Sequence, residues 1–246
     1  MGAFGVLTNG FMPPVDRLPP PPEVPVRSPA IAVPGEVELM IPGRSGGPAL
    51  EARVHLPSQA VRSIVLCHPH PLYGGSMHSP VPLVIAKLLA EKASSLVAWA
   101  RFNFRGVGRS LGSYDEGRGE VDDARAVLDD LRAAAGPAPV TLCGHSFGSA
   151  VALRAAAADG AVERVLLISP STRLFDWPDA GKDLAAKITV FIGDRDDICD
   201  VDDARALARR LGAEIRVFEG QDHHFLKSRR ALAEAALPVI APEVAR

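Results

Sequence analysis

The segment Gly144-His145-Ser146-Phe147-Gly148 places a serine between two glycines, directly after an apolar run and directly before an alanine-rich stretch. The run at residues 139–142 predicts a strand, and the stretch at 149–158 predicts a helix. A strand that turns sharply into a helix pushes a serine hydroxyl out of the sheet and aims the first N–H groups of the helix at it. Gly-x-Ser-x-Gly alone would suit a helix-capping serine equally well. The flanking strand and helix favour a nucleophile at Ser146.

Length and composition favour one large α/β domain. The chain has 246 residues, of which 47% are hydrophobic, and its net charge is −2. Such a chain can bury a substantial core. Without a basic excess, neither nucleic acid nor an anionic membrane surface is expected as a main partner. No apolar run reaches the length of a membrane-spanning helix, and the N-terminus lacks the charged segment of a secretory signal. We therefore expect a cytoplasmic protein.

The three cysteines are Cys67, Cys143 and Cys199, which are widely spaced, and no Cys-x-x-Cys pair or Cys/His cluster suggests a zinc site. Cys67 and Cys143 end apolar runs, which indicates buried thiols and fits a reducing compartment. Three histidines fall between residues 68 and 78, but no Asp, Glu or Cys joins them at ligand spacing. A metal site there is a minor alternative, and we predict neither a metal nor a cofactor.

Nine prolines fall between residues 13 and 34. Such a segment favours an extended polyproline II conformation and cannot build a core. We predict that residues 1–35 form a Pro-rich tail and that residues 36–246 form one domain. A ligand for an SH3-type module is the alternative for the tail.

Strand and helix signals alternate through the rest of the chain. An antiparallel hairpin is predicted at residues 37–41 and 50–56, and the continuous apolar run at 62–67 suits a central parallel strand. Further strands are predicted at residues 96–102, 139–143, 162–168, 188–192 and 214–218. Helices are predicted at residues 81–93, 116–135, 149–158, 202–211 and 225–240. The alternation predicts an α/β fold with a doubly wound, mostly parallel sheet.

A nucleophilic serine needs a base, and the base needs a carboxylate that orients it. In an open α/β sheet these groups lie past the carboxyl ends of strands. The loop after the seventh predicted strand offers Asp196, with Asp197 as the second choice. The loop after the eighth predicted strand offers His223 and His224, and either histidine could be the base. Adjacent residues in an extended loop point to opposite sides, so only one of the two can face Ser146.

The loop after the strand at 62–67 is expected to supply a backbone donor for the oxyanion. Pro69 and Pro71 have no N–H group, so His70 carries the only backbone donor between them. Phe147 supplies the N–H that directly follows the serine. We therefore predict an oxyanion hole formed by the N–H groups of His70 and Phe147.

Residues 37–242 resemble the α/β-hydrolase superfamily. The most specific stretches are His-Pro-His-Pro-Leu-Tyr-Gly-Gly-Ser-Met at 68–77 and Arg-Phe-Asn-Phe-Arg-Gly-Val-Gly-Arg-Ser at 101–110. Both are similar to a subgroup of small, lidless serine hydrolases. The resemblance implies a sheet of the α/β-hydrolase type with no large cap domain.

The resemblance also implies a role for each site residue. Ser146 is the expected nucleophile, Asp196 the acid and His223 the base. The N–H groups of His70 and Phe147 are the expected oxyanion hole. Relatives tend to have one histidine followed by aromatics where this sequence has a doubled histidine.

Only residues 169–187 separate the sixth predicted strand from the seventh, too few for a full lid. We therefore expect a shallow site whose substrate contacts include Tyr73, Leu174, Phe175 and Trp177, although the last three suit packing beneath the loop equally well. Small or short-acyl esters are the expected substrates, and thioesters and amides share the chemistry. The alternative from another class is a non-catalytic scaffold that binds a partner through its Pro-rich head.

Overall fold

An eight-stranded sheet forms the centre of the computed structural model, which describes residues 31–172, 177 and 184–244. The strands are β1 (Val37–Ile41), β2 (Leu50–His55), β3 (Arg62–Cys67), β4 (Val97–Phe102), β5 (Val140–His145), β6 (Val162–Ile168), β7 (Lys187–Gly193) and β8 (Glu214–Phe218). Their order across the sheet is β1-β2-β4-β3-β5-β6-β7-β8. The pairs β1–β2 and β2–β4 are antiparallel, and the others are parallel. The predicted hairpin and mostly parallel sheet are confirmed.

Within the described residues, five α-helices cover the two faces of the sheet. They are α1 (Pro80–Lys92), α2 (Arg118–Ala135), α3 (Phe147–Ala157), α4 (Val201–Leu211) and α5 (Arg229–Ile240). Helices α1 and α5 pack on one face, and α2, α3 and α4 pack on the other. Among the described residues, no helix combines the length and apolarity that crossing a bilayer requires.

The central strands explain why the apolar runs in the sequence are continuous. Every residue of β3, β4 and β5 is buried. Successive side chains enter opposite cores: Val65 packs with α2 and α3, whereas Ile64 and Leu66 pack with α1 and α5. Each fully buried aliphatic side chain contributes roughly 1.5–3 kcal/mol relative to exposure.

Two helices begin later than the sequence predicts, because residues with positive φ precede them. Phe225 has a φ of 50°, so α5 begins at Arg229 and the predicted helix at 225–240 was too long. Glu116 has a φ of 54°, so α2 begins at Arg118. A right-handed helix excludes both conformations.

The packed domain begins before residue 36, so the predicted boundary of the tail needs correction. Val33 is 2% exposed and belongs to the core that α1 and α5 cover. Arg101 donates to the carbonyl oxygen of Ile31 at 2.6 Å and forms an ion pair with Glu36 at 2.6 Å, with both charged side chains 0% exposed. A buried guanidinium needs such partners, and here the partners come from the N-terminal segment. The proline-rich stretch before residue 31 lies outside the described residues.

Candidate active site

Ser146 occupies a strained turn between β5 and α3. Its φ is 56° and its ψ is −118°, a conformation that costs a non-glycine residue on the order of 1–3 kcal/mol. A Cβ atom on Gly144 would lie 2.1 Å from the carbonyl oxygen of Gly148, and one on Gly148 would lie 2.4 Å from that of Cys67. The two glycines are therefore required by the close approach of the backbone around the turn. The turn presents Ser146 at the carboxyl edge of the sheet.

Asp196 and His223 form a buried pair at the same edge, on the loops after β7 and β8. The Nδ1 atom of His223 lies 2.9 Å and 3.0 Å from the two carboxylate oxygens. The side chains are 2% and 0% exposed for His223 and Asp196, respectively. An ionised carboxylate only accepts hydrogen bonds, so Nδ1 carries the proton and Nε2 is the basic nitrogen.

The surroundings of Asp196 keep its carboxyl group charged. One carboxylate oxygen also accepts from the N–H groups of Cys199 at 2.8 Å and Ile198 at 3.0 Å. Burial raises the pKa of Asp196, but the hydrogen bond and charge of His223, with the Cys199 N–H, bring the pKa below its ordinary value. Asp196 can therefore accept from His223 near neutral pH.

The structure separates the two adjacent histidines. His223 is buried on Asp196, whereas His224 is exposed. The N–H of His224 donates to Asp222 at 3.1 Å, and its ring lies edge-on to that of His223 with centroids 5.1 Å apart. His223, and not His224, is therefore the histidine that bonds to Asp196, and the expectation that it is the one facing Ser146 stays a prediction.

His145 is a site residue that sequence reasoning missed. Its Nε2 atom donates to the backbone carbonyl of His223 at 2.9 Å. Burial lowers the pKa of His145 to about 3, so the ring is neutral, and its buried Nδ1 atom has no hydrogen-bond partner among the described residues. The only signal in the sequence is its place directly before Ser146.

Ser171 is a second missed residue, on the loop after β6. Its hydroxyl oxygen lies 3.0 Å from that of Ser146, and either atom can be the donor. Among the described residues, the Ser146 hydroxyl bonds to Ser171, and no hydrogen bond joins Ser146 to His223. The nucleophile and the base that the sequence predicts thus lie at one edge of the sheet without a direct hydrogen bond.

The residues predicted to form the oxyanion hole lie side by side. The rings of His70 and Phe147 have centroids 4.9 Å apart. Nδ1 of His70 accepts from the Leu72 N–H at 3.2 Å, so the proton is on Nε2, which lies 3.2 Å from the Tyr114 hydroxyl. Burial lowers the pKa of His70 to about 4 and keeps the ring neutral. A Cβ atom on Gly75 would lie 2.0 Å from a backbone oxygen of this tight loop.

The two stretches that carry the family resemblance bind each other. The Phe104 N–H donates to Nε2 of His68 at 3.0 Å, and the Met77 N–H donates to the side chain of Asn103 at 2.8 Å. Arg101 donates to the carbonyl oxygen of Met77 at 3.0 Å. The stretch at 101–110 therefore supports the loop that carries His70.

The histidines between residues 68 and 78 use their ring nitrogens within the protein. His68 contacts the Pro69 carbonyl at 2.6 Å as well as the Phe104 N–H, and His78 accepts from the Ile31 N–H at 3.1 Å. Across residues 31–172, 177 and 184–244, no group of three or more His, Cys, Asp and Glu side chains is arranged to hold a metal ion.

The residues predicted to contact substrate have different positions. Tyr73 lies beside His70, with the two rings edge-on and their centroids 4.9 Å apart. Trp177 is 8% exposed and packs in the same core as Leu207, which fits the packing alternative, and its role as a substrate contact stays a prediction. An indole buried against a helix presents little surface to a ligand. Leu174 and Phe175 lie outside the described residues.

Comparisons with known proteins agree with this architecture. A profile of the alpha/beta hydrolase family matches residues 64–187. An uncharacterized protein of Rickettsia prowazekii is 34% identical over 171 residues, which cover 65% of this chain and 71% of that protein. A Xanthomonas campestris structure is described as an α/β serine hydrolase without a lid, and it is 29% identical in sequence to this chain. The superposition covers 88% of this chain and 99% of the Xanthomonas chain, with a TM-score of 0.73. An α/β serine hydrolase homologue from Coxiella burnetii is 27% identical, with coverages of 86% and 100% and a TM-score of 0.72.

The short link between β6 and β7 leaves no room for a large cap domain, in keeping with the lidless relative. The family profile spans half of the chain, and the strand order places the carboxyl ends of β3, β5, β7 and β8 at one edge. The chain therefore belongs to the alpha/beta hydrolase family and is an enzyme of the hydrolase type.

Proposed function

We propose that this protein is a serine hydrolase that cleaves small or short-acyl carboxylic esters through an acyl-enzyme intermediate. Ser146 attacks the ester carbonyl, His223 takes its proton and passes it to the leaving alcohol, and Asp196 stabilises the charged imidazole. The N–H groups of His70 and Phe147 hold the oxyanion. Water then attacks the acyl-enzyme with the same assistance and releases the acid.

The observation that carries this proposal is the hydrogen bond between His223 and Asp196 at the edge where Ser146 sits. The bond at 2.9 Å directs the proton to Nδ1 and leaves Nε2 as the general base. Strands β5, β7 and β8 run parallel, so the three loops lie past the same ends. A strained serine beside a paired base and acid favours covalent catalysis over a role in binding alone.

The mechanism requires one movement in this structure. The Ser146 hydroxyl has a hydrogen bond to Ser171, and His223 has none to it among the described residues. Hydrogen bonds between catalytic groups are often long or poorly aligned before the substrate binds. We therefore expect the Ser146 side chain to rotate and bring its hydroxyl group to Nε2 of His223 when an ester occupies the site.

The size of the substrate is argued from the loops around Ser146. The connection between β6 and β7 is too short to form a large lid over the acyl group. Tyr73, which packs on His70, is proposed to contact the substrate beside the oxyanion hole. These features favour small esters as substrates. A screen must also include thioesters and amides of similar size, because they share the chemistry.

The test is hydrolysis of p-nitrophenyl esters of increasing acyl length, together with labelling by a fluorophosphonate. The wild-type protein is expected to hydrolyse acetate and butyrate esters faster than dodecanoate and to be labelled at Ser146. The Ser146→Ala variant is expected to lose both activities, because no other oxygen occupies the elbow. A Ser63→Ala variant is the matched control, since Ser63 is a buried serine on β3.

Labelling that persists in Ser146→Ala would contradict the assignment of the nucleophile. Hydrolysis of thioesters or amides with a higher kcat/KM than the matching esters would keep the nucleophile and change the substrate class. A wild-type protein that neither hydrolyses these substrates nor reacts with the probe would support the non-catalytic alternative.

A further inference from the structure

Ser171 places a second hydroxyl group on the proposed nucleophile. The two oxygens are 3.0 Å apart, and Ser171 is 0% exposed while Ser146 is 8% exposed. Because Ser171 is fully buried, solvent water cannot readily take the place of its hydroxyl. The contact is therefore a fixed feature of the site.

The loop that carries Ser171 is tied to the acid of the site. The thiol of Cys199 donates to the carbonyl oxygen of Pro170, the residue before Ser171. The N–H of Cys199 donates to Asp196 at 2.8 Å. Burial raises the pKa of Cys199 to about 11, so the thiol keeps its proton and remains a donor near neutral pH. One residue thus connects the Ser171 loop to the carboxylate that holds His223.

The direction of the hydrogen bond follows from the chemistry of the proposed reaction. When Ser146 attacks, its proton moves to Nε2 of His223, so Ser146 can no longer donate to Ser171. The Ser171 hydroxyl can then donate to Ser146 Oγ. We propose that Ser171 is a further catalytic residue whose hydroxyl stabilises the negative charge that develops on Ser146 Oγ. This inference rests on the proposed function.

This role applies in both halves of the reaction and transfers no additional proton. In acylation, the bond from Ser146 Oγ to the acyl carbon forms, the Oγ proton goes to His223, and the alcohol leaves with that proton. In deacylation, the water oxygen bonds to the acyl carbon and its proton goes to His223, the Oγ–acyl bond breaks to release the acid, and His223 returns the proton to Oγ. Ser171 donates a hydrogen bond to Oγ whenever that oxygen carries partial charge, and it keeps its own proton throughout.

The size of the effect follows from the strength of a buried hydrogen bond to a charged oxygen. Such a bond corresponds to a rate change of roughly 10-fold or more. The charge develops only in the transition state, so Ser171→Ala is expected to lower kcat about 10-fold and to change KM less than about 2-fold. The rate of labelling by a fluorophosphonate is expected to fall by a similar factor.

The experiment compares Ser171→Ala, Ser171→Thr and Ser63→Ala for ester hydrolysis and for the rate of probe labelling. Ser171→Thr keeps the hydroxyl and is expected to recover most of the loss. Ser63→Ala makes the same substitution at a buried serine whose hydroxyl has no hydrogen-bond partner in the part of the chain that the structure describes, and it is expected to behave as wild type. Unfolding temperatures of all variants separate loss of structure from loss of rate.

An unchanged or faster Ser171→Ala enzyme would overturn the inference, and a faster one would mean that Ser171 holds the nucleophile away from His223. Equal losses in folded Ala and Thr variants would also overturn it, because the hydroxyl would then not matter. If Ser171→Thr fails to fold, the Ser171→Ala variant alone is used. A fall in its kcat of about 10-fold, with KM and unfolding temperature unchanged, would then support the inference, and an unchanged kcat would overturn it. A wild-type protein that is not labelled at Ser146 would instead refute the proposed function and this inference with it.

Discussion

The ring of His145, the residue before the nucleophile, donates from Nε2 to the backbone carbonyl of His223 at 2.9 Å. This hydrogen bond joins β5 to the loop after β8 across residues 78 positions apart in the sequence. Because the ring is buried and neutral, the bond persists across the ordinary pH range. His145 therefore positions the backbone of the proposed base relative to Ser146.

Replacing His145 tests this positioning. His145→Phe keeps a planar ring but removes the donor, so kcat is expected to fall roughly 10- to 100-fold through displacement of His223. His145→Gln keeps a side-chain N–H and is expected to lose less. Steady-state kinetics with a p-nitrophenyl ester measures both, and a His145→Phe enzyme with wild-type kcat would contradict the role.

The two adjacent histidines are expected to differ sharply in function. His223→Ala removes the ring that bonds to Asp196, and kcat is expected to fall at least roughly 1000-fold. His224→Ala removes an exposed ring, and the loss is expected to be about 10-fold or below. The comparison is made in ester hydrolysis, and a larger loss in His224→Ala would reverse the assignment of the base.

Stability is expected to fall as the pH is lowered from 7.5 to 5.5. Burial lowers the pKa of His68 and His145 to about 3 and that of His70 to about 4, whereas unfolded histidine titrates near 6.5. The unfolded chain therefore binds more protons in this range, and each buried ring contributes a loss on the order of 1 kcal/mol. Urea unfolding at the two pH values measures the change.

A matched variant checks the cause of this pH dependence. His70→Gln removes one of the three low-pKa rings, so its free energy of unfolding is expected to vary less with pH than that of the wild type. An equal slope in the two proteins would assign the effect to other groups.

The buried pair of Arg101 and Glu36 is expected to stabilise the N-terminal segment strongly. Glu36→Gln leaves a fully buried guanidinium without its counter-charge, which costs about 3–5 kcal/mol. The exposed pair of Lys187 and Glu214 is the control, and Glu214→Gln is expected to cost less than about 1 kcal/mol. Equal changes in the two free energies of unfolding would contradict the difference in burial.

Local sequence patterns determined much of this protein. Continuous apolar runs predict the buried strands β3 to β5, because residues covered on both faces of a sheet have no polar side. Two glycines around Ser146 predict the sharp turn, because neighbouring backbone leaves no space for a Cβ atom. These features depend on residues close together in the chain, so the sequence alone indicates them.

Only the tertiary structure decided which distant side chains meet. His223 pairs with Asp196 across 27 positions, and Ser171 reaches Ser146 across 25, neither of which leaves a periodic signal in the sequence. Packing against helices distant in the sequence also buries Val33, which the composition of the N-terminal segment assigns to the tail. The sequence by itself therefore determined the strands, the helices and the elbow. Long-range packing decided that His223 bonds to Asp196, that Ser171 contacts Ser146, and that Val33 belongs to the core.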